Sequence, residues 1–530
     1  MLCPALWKDG AMELLQITVF VSLCAVALCW VARHFNFPYP IALVIGGGVL
    51  GFIPLVPQLP FDPELILILV LPPILYQAAA LTSWRDFALG IRTIGLLAIG
   101  LVVVTTLAVG ASLKLLIPDI SWAAAFIFGA IVSPPDAVAA TAILSRLNIP
   151  RRVVTVLEGE SLVNDASGLV LYKFAVAAVL TGTFSLLDAS VQFAGMAIGG
   201  SVLGILTGLV FIVIHRHLGD VFIEVLTSLL VPYVAYVCAE SVHASGVLAV
   251  VAAGLVRGRH APIIVSAEMR ILSRSMWNVM VFVLNTLVFV LIGMQLSGSV
   301  ARLEGYSASR LMAEGALLSA VAIIVRFAWV YAALYMPRKL SASLRKSEAA
   351  PPEAEFFIMS WCGMRGIVSL AAALALPLTL ADGMPFPYRD VIIFFTFVII
   401  AVTLVLQGLT LPVLIRRLRV GIDWSLREEQ ENARNAMSKA AIAAIDALAH
   451  REGVASDLAG RISAEFAEKN AAGDADASAS EDHAKLARRL RHAAINAERQ
   501  ELIRIWRENQ ISDNVLHEFE EELDYKESHL

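Results

Sequence analysis

Runs of about twenty apolar residues recur from near residue 13 to near residue 415, and no other feature limits the fold so sharply. A helix of that length crosses the hydrocarbon core of a bilayer. Many such runs therefore specify an all-α polytopic membrane protein. A closed barrel also spans membranes, but its strands alternate apolar and polar residues, and these runs do not. We count about thirteen spans. The fifth covers roughly 121–145, the sixth 152–182, the eleventh 310–336 and the twelfth 355–379, while the ninth, about 244–257, is short. Only 16% of the 530 residues are charged. Soluble domains carry about a quarter.

The remaining charge is unevenly placed. Of 45 acidic and 40 basic residues, 23 and 14 lie after residue 420. The chain thus divides into a membrane part, 1–420, and an acidic helical tail, 421–530. Within the tail we expect a helix over 433–450, a low-complexity linker over 470–482 (NAAGDADASASED) and an amphipathic helix over 484–524. A solvated domain packed on itself is the plainer reading of this tail. A regulatory or dimer-contacting domain is the other. No stretch is basic enough to suggest nucleic acid. The five cysteines show no metal spacing and read as buried thiols. No cleavable signal peptide is evident, since the first run ends in Ala32-Arg33-His34.

Lys and Arg gather in alternate loops, as at Arg85 and Arg92, at Arg257, Arg259, Arg270 and Arg274, and at Arg338, Lys339, Arg345 and Lys346. The opposite loops hold few, such as Lys8, Arg302, Arg310 and Arg389. Cytoplasmic loops carry the excess, so the N-terminus should lie outside and the tail in the cytoplasm.

Charge inside an apolar run is costly and marks function or a buried pair. The sixth span contains GESLVND, Gly159–Asp165. Glu160 and Asn164 are four apart and share a face, as do Ser161 and Asp165. Their oxygens suit a small alkali cation rather than a soft metal. One carboxylate there that takes either H⁺ or a cation, but not both, suffices for exchange. Helix–helix hydrogen bonding or an internal salt bridge is the structural alternative, strongest for Glu160.

The fifth span contains IVSPPDAVAAT, Ile131–Thr141. Pro134 and Pro135 remove two backbone donors and should unwind the helix just before Asp136. Asp136 could also serve as a simple N-cap. The twelfth span contains WCGMRGIVSL, where Gly363 and Gly366 flank Arg365. Two interrupted helices seven spans apart point to an inverted-repeat transporter whose site lies where the breaks cross. Arg326 in the eleventh span needs a partner, and Glu160 is the natural one. Lys173 reads as snorkelling or structurally paired. Glu158 and Glu224, near helix ends, read equally as solvated charges or as the lining of a funnel. His215 and His217 read as cytoplasmic-loop histidines that could sense pH, although exposed loop histidines usually do not.

GESLVND, SPPDAVAA and GMRG, in this order, together with LPPILY at Leu71–Tyr76, resemble the monovalent cation/proton antiporters of the branch containing the sodium/proton exchangers. The resemblance covers roughly residues 13–420. It implies that Asp165 binds cation and proton alternately, that Ser161 is a side-chain cation ligand, and that Asp165 and Ser161 together hold Na⁺. It implies that Asn164 marks the electroneutral branch, that Asp136 is the aspartate of the unwound helix, that Glu160 pairs with Arg326, and that Arg365 offsets dipoles and charge at the second break. It further implies a thirteen-helix homodimer working by elevator-like alternating access, with no cofactor. Two positions depart from the family's pattern. Pro135 stands where a Thr is frequent, and Gln77 stands where an acid is usual. Both changes remove potential ligand oxygen or charge.

The expectation is therefore a cell-membrane antiporter, not an enzyme, exchanging Na⁺ or Li⁺ for H⁺ and serving pH and sodium homeostasis. A K⁺/H⁺ exchanger on the same scaffold is the alternative. A cation channel fits less well, because channels favour repeated rings of ligands. No HExxH, P-loop or nucleophile–base constellation is found in the membrane part.

Overall fold

The computed structural model describes residues 4–35, 38–53, 63–144, 147, 149–182, 186–301, 303, 307–340, 352–380, 383–418, 420, 424–454, 456–467 and 481–529. Apart from one β-bridge, Thr379 to Pro385, their regular structure is helical. The membrane part contains α1 (Pro4–His34), α2 (Tyr39–Gly51), α3 (Pro63–Leu81), α4 (Trp84–Leu116), α5 (Trp122–Val132), α6 (Ala137–Leu144), α7 (Arg151–Thr181) and α8 (Leu186–His215). It continues with α9 (Val221–Ser241), α10 (Gly246–Ile264), α11 (Ala267–Ala301), α12 (Ala308–Leu340), α13 (Glu353–Trp361), α14 (Ile367–Leu374) and α15 (Arg389–Leu418). The tail holds α16 (Trp424–Glu452), α17 (Ser456–Ala467), α18 (Glu481–Arg507) and α19 (Asp513–Ser528).

Among the described residues, eight helices are long and apolar enough by length and composition to cross a bilayer: α4, α7 to α12 and α15. Shorter apolar helices include α2 and α5. The protein is thus all-α and multi-pass. The ninth span reads as short from hydropathy, yet α10 runs on to Ile264, through Arg257 and Arg259. Backbone hydrogen bonding does not stop where hydropathy falls.

Burial separates inner from outer helices. In α15, 78% of the apolar window is buried in protein, against 22% in α8. Ile198, Val202 and Val210 of α8 are exposed, as lipid contact requires. Cys29 and Cys362 are buried as expected, but Cys24 is half-buried and Cys238 exposed. Both of these lie on apolar helices, so hydropathy alone did not reveal their outward direction.

Among the described residues two helices are interrupted. The first breaks at Ser133–Asp136, between α5 and α6, and the second at Cys362–Gly366, between α13 and α14. Two others contain a π-helical turn. In α4, at Leu96–Leu101, the Leu96 carbonyl accepts the Trp329 indole N–H at 2.9 Å. In α15 the turn at Thr403–Gln407 begins beside the second break, where Thr403 Oγ1 accepts the Arg365 backbone N–H at 3.1 Å.

The tail differs from expectation in two places, the first being the extra helix α17. Secondly, in place of one amphipathic helix over 484–524 there are two, α18 and α19. Asn509 takes the left-handed conformation (φ 58°), and the Gln510 N–H bonds to the Ile505 carbonyl. This is a Schellman ending with Asn in the glycine position. α19 folds back so that Phe519 and Leu523 pack with Leu502 and Ile505 of α18. The linker read at 470–482 lies, up to residue 480, outside the described residues, and residues 421–423, just past the division at 420, do as well.

Candidate functional site

The two breaks meet. The Asp136 N–H donates to the Met364 carbonyl at 2.7 Å, tying one unwound segment to the other. Each half-helix ends with carbonyls that no intrahelical donor reaches, and each carries the partial negative charge of a helix C-terminus. Arg365 meets both sets. Its Nε donates to the carbonyl of Val132, the last residue of α5, and its Nη1 to that of Gly363, just beyond α13. The side chain is 1% exposed.

Both glycines of GMRG are explained by close approach. A Cβ on Gly366 would overlap the Asp136 carboxylate, and one on Gly363 would overlap the Arg326 side chain. Arg326, on α12, reaches Glu160 through two bonds, Nη1 to Oε1 at 2.5 Å and Nη2 to Oε2 at 2.9 Å. It also donates to the Met359 carbonyl at 3.0 Å from Nη2. Both residues are 1% exposed. The expected pair is therefore bidentate and dry, and it anchors the end of α13.

Asp165 lies one and a half turns further along α7, and its surroundings are different. It lines a cavity of 380 Å³ together with Asp136 and Ser161. Among the described residues it meets no cationic side chain and makes no hydrogen bond. Two acidic side chains and a hydroxyl thus share one recess, at the point where the helices are broken.

Asn164 does not line this cavity. It is fully buried, and its Nδ2 donates to the Pro135 carbonyl at 3.4 Å, one residue before Asp136. Gln77 and Pro135, the two departures from the family's pattern, both line the cavity, and Gln77 is turned to Asn278 at 3.0 Å. Lys173 pairs with Glu240 at 3.3 Å, away from the site.

Sequence reasoning missed several members of the wall. Asn285 of α11 and Ser369 of α14 line the cavity, and the Asn285 Oδ1 and Ser369 Oγ have no hydrogen-bond partner among the described residues. Ser369 is the single polar residue of α14, and Asn285 stands with Thr286 in an apolar stretch of α11, and that is the only signal that could have raised them. Asn514, from the tail, also lines the cavity. No local feature of the sequence announces this.

Residues 19–417 match the profile of the sodium/hydrogen exchanger family, transmembrane region. The chain is 33% identical over 532 residues to the uncharacterized Na(+)/H(+) exchanger Rv2287 of Mycobacterium tuberculosis, covering 99% of this chain and 97% of that one. It is 35% identical over 456 residues to the sodium, potassium, lithium and rubidium/H(+) antiporter of Bacillus pumilus, covering 83% of this chain and 66% of that one. Its fold is similar to that of the sodium proton antiporter MjNhaP1 of Methanocaldococcus jannaschii, with a TM-score of 0.61 and 21% identity over 77% of this chain and 99% of that one. The chain belongs to the sodium/hydrogen exchanger family, whose members are ion antiporters and not enzymes.

Proposed function

We propose that the protein exchanges Na⁺ or Li⁺ for H⁺ across the cell membrane by alternating access, electroneutrally, and so serves pH and sodium homeostasis. One observation carries this reading. Asp165 stands in a cavity with no cationic partner among the described residues, while Glu160, five residues before it on the same helix, is fully occupied by Arg326. A buried carboxylate with no fixed counter-ion must take its positive charge from a proton or a cation. Because the two compete for one group, inward movement of H⁺ drives outward movement of the cation.

In this reading Asp165 and Ser161 hold the ion, with Asp136 as a further ligand or charge. Asn164 acts through the unwound segment by holding the Pro135 carbonyl. Arg365 removes the helix-end charge that would otherwise compete for the cation. The two broken helices cross as parts of inverted repeats within a thirteen-span unit, 1–420. The unit works as a homodimer with its N-terminus outside and the tail, 421–530, in the cytoplasm. The paired breaks and the apolar outer faces of helices such as α8 support this arrangement.

K⁺ is the second reading. A relative named for sodium, potassium, lithium and rubidium favours it, as do Pro135 and Gln77, which leave the recess with fewer charged or hydroxyl ligands. Purified protein in liposomes, acid inside with a trapped pH dye, separates the two. Collapse of the gradient by external Na⁺ or Li⁺, at a rate indifferent to membrane potential, is expected. Collapse by K⁺ alone changes the substrate. A rate that follows potential refutes electroneutrality.

A further inference from the structure

The cavity that holds Asp165 is lined partly by the tail. Thr155, Glu158, Ser161 and Asp165 all line it. Their spacings of three, three and four residues place them along one face of α7. At 1.5 Å per residue, Glu158 lies about 10 Å from Asp165 along the helix axis. It is half-buried, and among the described residues no Lys or Arg pairs with it. The function assigned to Asp165 leaves this second carboxylate unexplained.

Ser83 and Asn514 line the same cavity. Ser83 caps α4, accepting the Asp86 N–H, and one turn further Phe87 abuts Gly159, the neighbour of Glu158. Asn514 comes from the first turn of α19 and is held in place from both sides. The Asp513 Oδ2 accepts the Ser83 hydroxyl at 2.7 Å, and its Oδ1 accepts the Trp506 indole N–H at 2.6 Å. Arg85 donates to the Asn509 carbonyl at 2.7 Å. At the other end of α19, Asp524 takes two bonds from Arg270, at 2.6 and 2.8 Å, and Glu521 pairs with Arg274. The tail helix is thus clamped across the mouth of the cavity by side chains of α4 and α11.

We propose that Glu158, Thr155, Ser83 and Asn514 form a second station for a monovalent cation at the tail-side mouth of the cavity, which the ion occupies, still partly hydrated, before it reaches Asp165. The station rests on the exchanger reading, and it makes the tail part of the transport path. Its ligands are one carboxylate, two hydroxyls and an amide, all hard donors suited to an alkali ion. The deeper site, between the two breaks, completes the exchange of water for protein oxygen.

The test uses full-length protein in vesicles whose tail faces the bath, as checked by protease access to the tail. Glu158→Gln should raise the Km for the transported cation from the tail side by about fivefold, the scale of one partly solvated charge contact. The Km from the opposite face should stay as in wild type. Glu158→Asp should restore most of the tail-side affinity, and Asn514→Ala should show a smaller shift of the same sidedness. An unchanged tail-side Km for Glu158→Gln, or an equal rise from both faces, would overturn the station. A binding measurement separates this from failure of the exchange reading. Full-length Asp165→Asn should still be thermally stabilised by Na⁺ or K⁺, and the double variant with Glu158→Gln should not. If wild type exchanges nothing but this stabilisation depends on Glu158, the station stands and the exchanger reading falls. If wild type exchanges and the stabilisation is independent of Glu158, the station falls.

Discussion

Glu160 and Asp165 sit five residues apart on one helix, are both nearly fully buried, and are treated in opposite ways. Glu160 meets Arg326 in a two-bond contact in which both partners are 1% exposed. Asp165, 5% exposed, faces a cavity that it shares with another acid. A closed pair cannot exchange its counter-ion without leaving a bare charge in a dry site, and that costs several kcal/mol. An open carboxylate has no fixed partner to lose. The same side-chain chemistry therefore gives a structural rivet at one position and, in the exchange reading proposed above, a loading point at the other, and the surrounding helices decide which.

The strongest way to break this comparison is Asp165→Asn. Exchange should fall to the level of empty vesicles while the purified protein keeps its thermal stability, because no partner is left stranded. Retained exchange would mean that Asp165 is not the loading point. Next in size is Arg326→Ala. It strands Glu160 in a buried site and should lower stability by about 3–5 kcal/mol, read as a large drop in melting temperature in detergent. The double variant Arg326→Met with Glu160→Leu should recover most of that loss, since removing both charges leaves neither unpaired. Failure of the double variant to recover would show that the bond to the Met359 carbonyl, and not the ion pair, carries the effect.

Gly366→Ala sharpens the other side of the comparison. Its Cβ would overlap the Asp136 carboxylate, so Asp136 or the second break must shift. Overpacking of this kind costs about 1–3 kcal/mol. Here the shift falls on the recess itself, so cation affinity should suffer more than melting temperature. A variant with wild-type affinity would show that Asp136 need not hold its place.

Much of this was legible in the sequence because membrane burial makes charge conspicuous. GESLVND, SPPD and GMRG stood out against apolar runs, and Arg326 had one plausible partner, which it has. The Pro134-Pro135 pair announced the first break, since neither residue can donate. The cavity wall was less legible. Asn285 and Ser369 are polar residues in apolar stretches whose direction depends on how α11 and α14 rotate against their neighbours, and no periodicity in one helix encodes that. Asn164 shares a motif with Asp165 but is turned to the Pro135 carbonyl, a difference of about 100° around the helix. The docking of the tail was hidden for another reason. Arg85, Arg270 and Arg274 read as loop charges that set topology, and the tail read as a solvated domain packed on itself. Complementary charges more than two hundred residues apart carry no register that would say which meets which.

The tail pairs extend the comparison along a scale of burial, and the smallest expected effects lie there. The side chains of Arg270 and Asp524 are 11% and 4% exposed, and those of Arg274 and Glu521 are 33% and 69%. Arg270 also donates to the Val265 carbonyl, so its guanidinium is held on several sides. Arg270→Gln removes charge-assisted hydrogen bonds worth about 1.5–3 kcal/mol each in partly buried settings, and it leaves Asp524 with Arg499 as its remaining cation. Arg274→Gln removes an exposed pair worth about 0–1 kcal/mol. The check is limited proteolysis of full-length protein, following release of the tail with time. Arg270→Gln should speed cleavage several-fold and Arg274→Gln barely at all, with melting of the membrane part unchanged in both. Equal effects would mean that burial does not set the strength of these contacts, and the contrast between Glu160 and Asp165 would then need another cause than the water each one lacks.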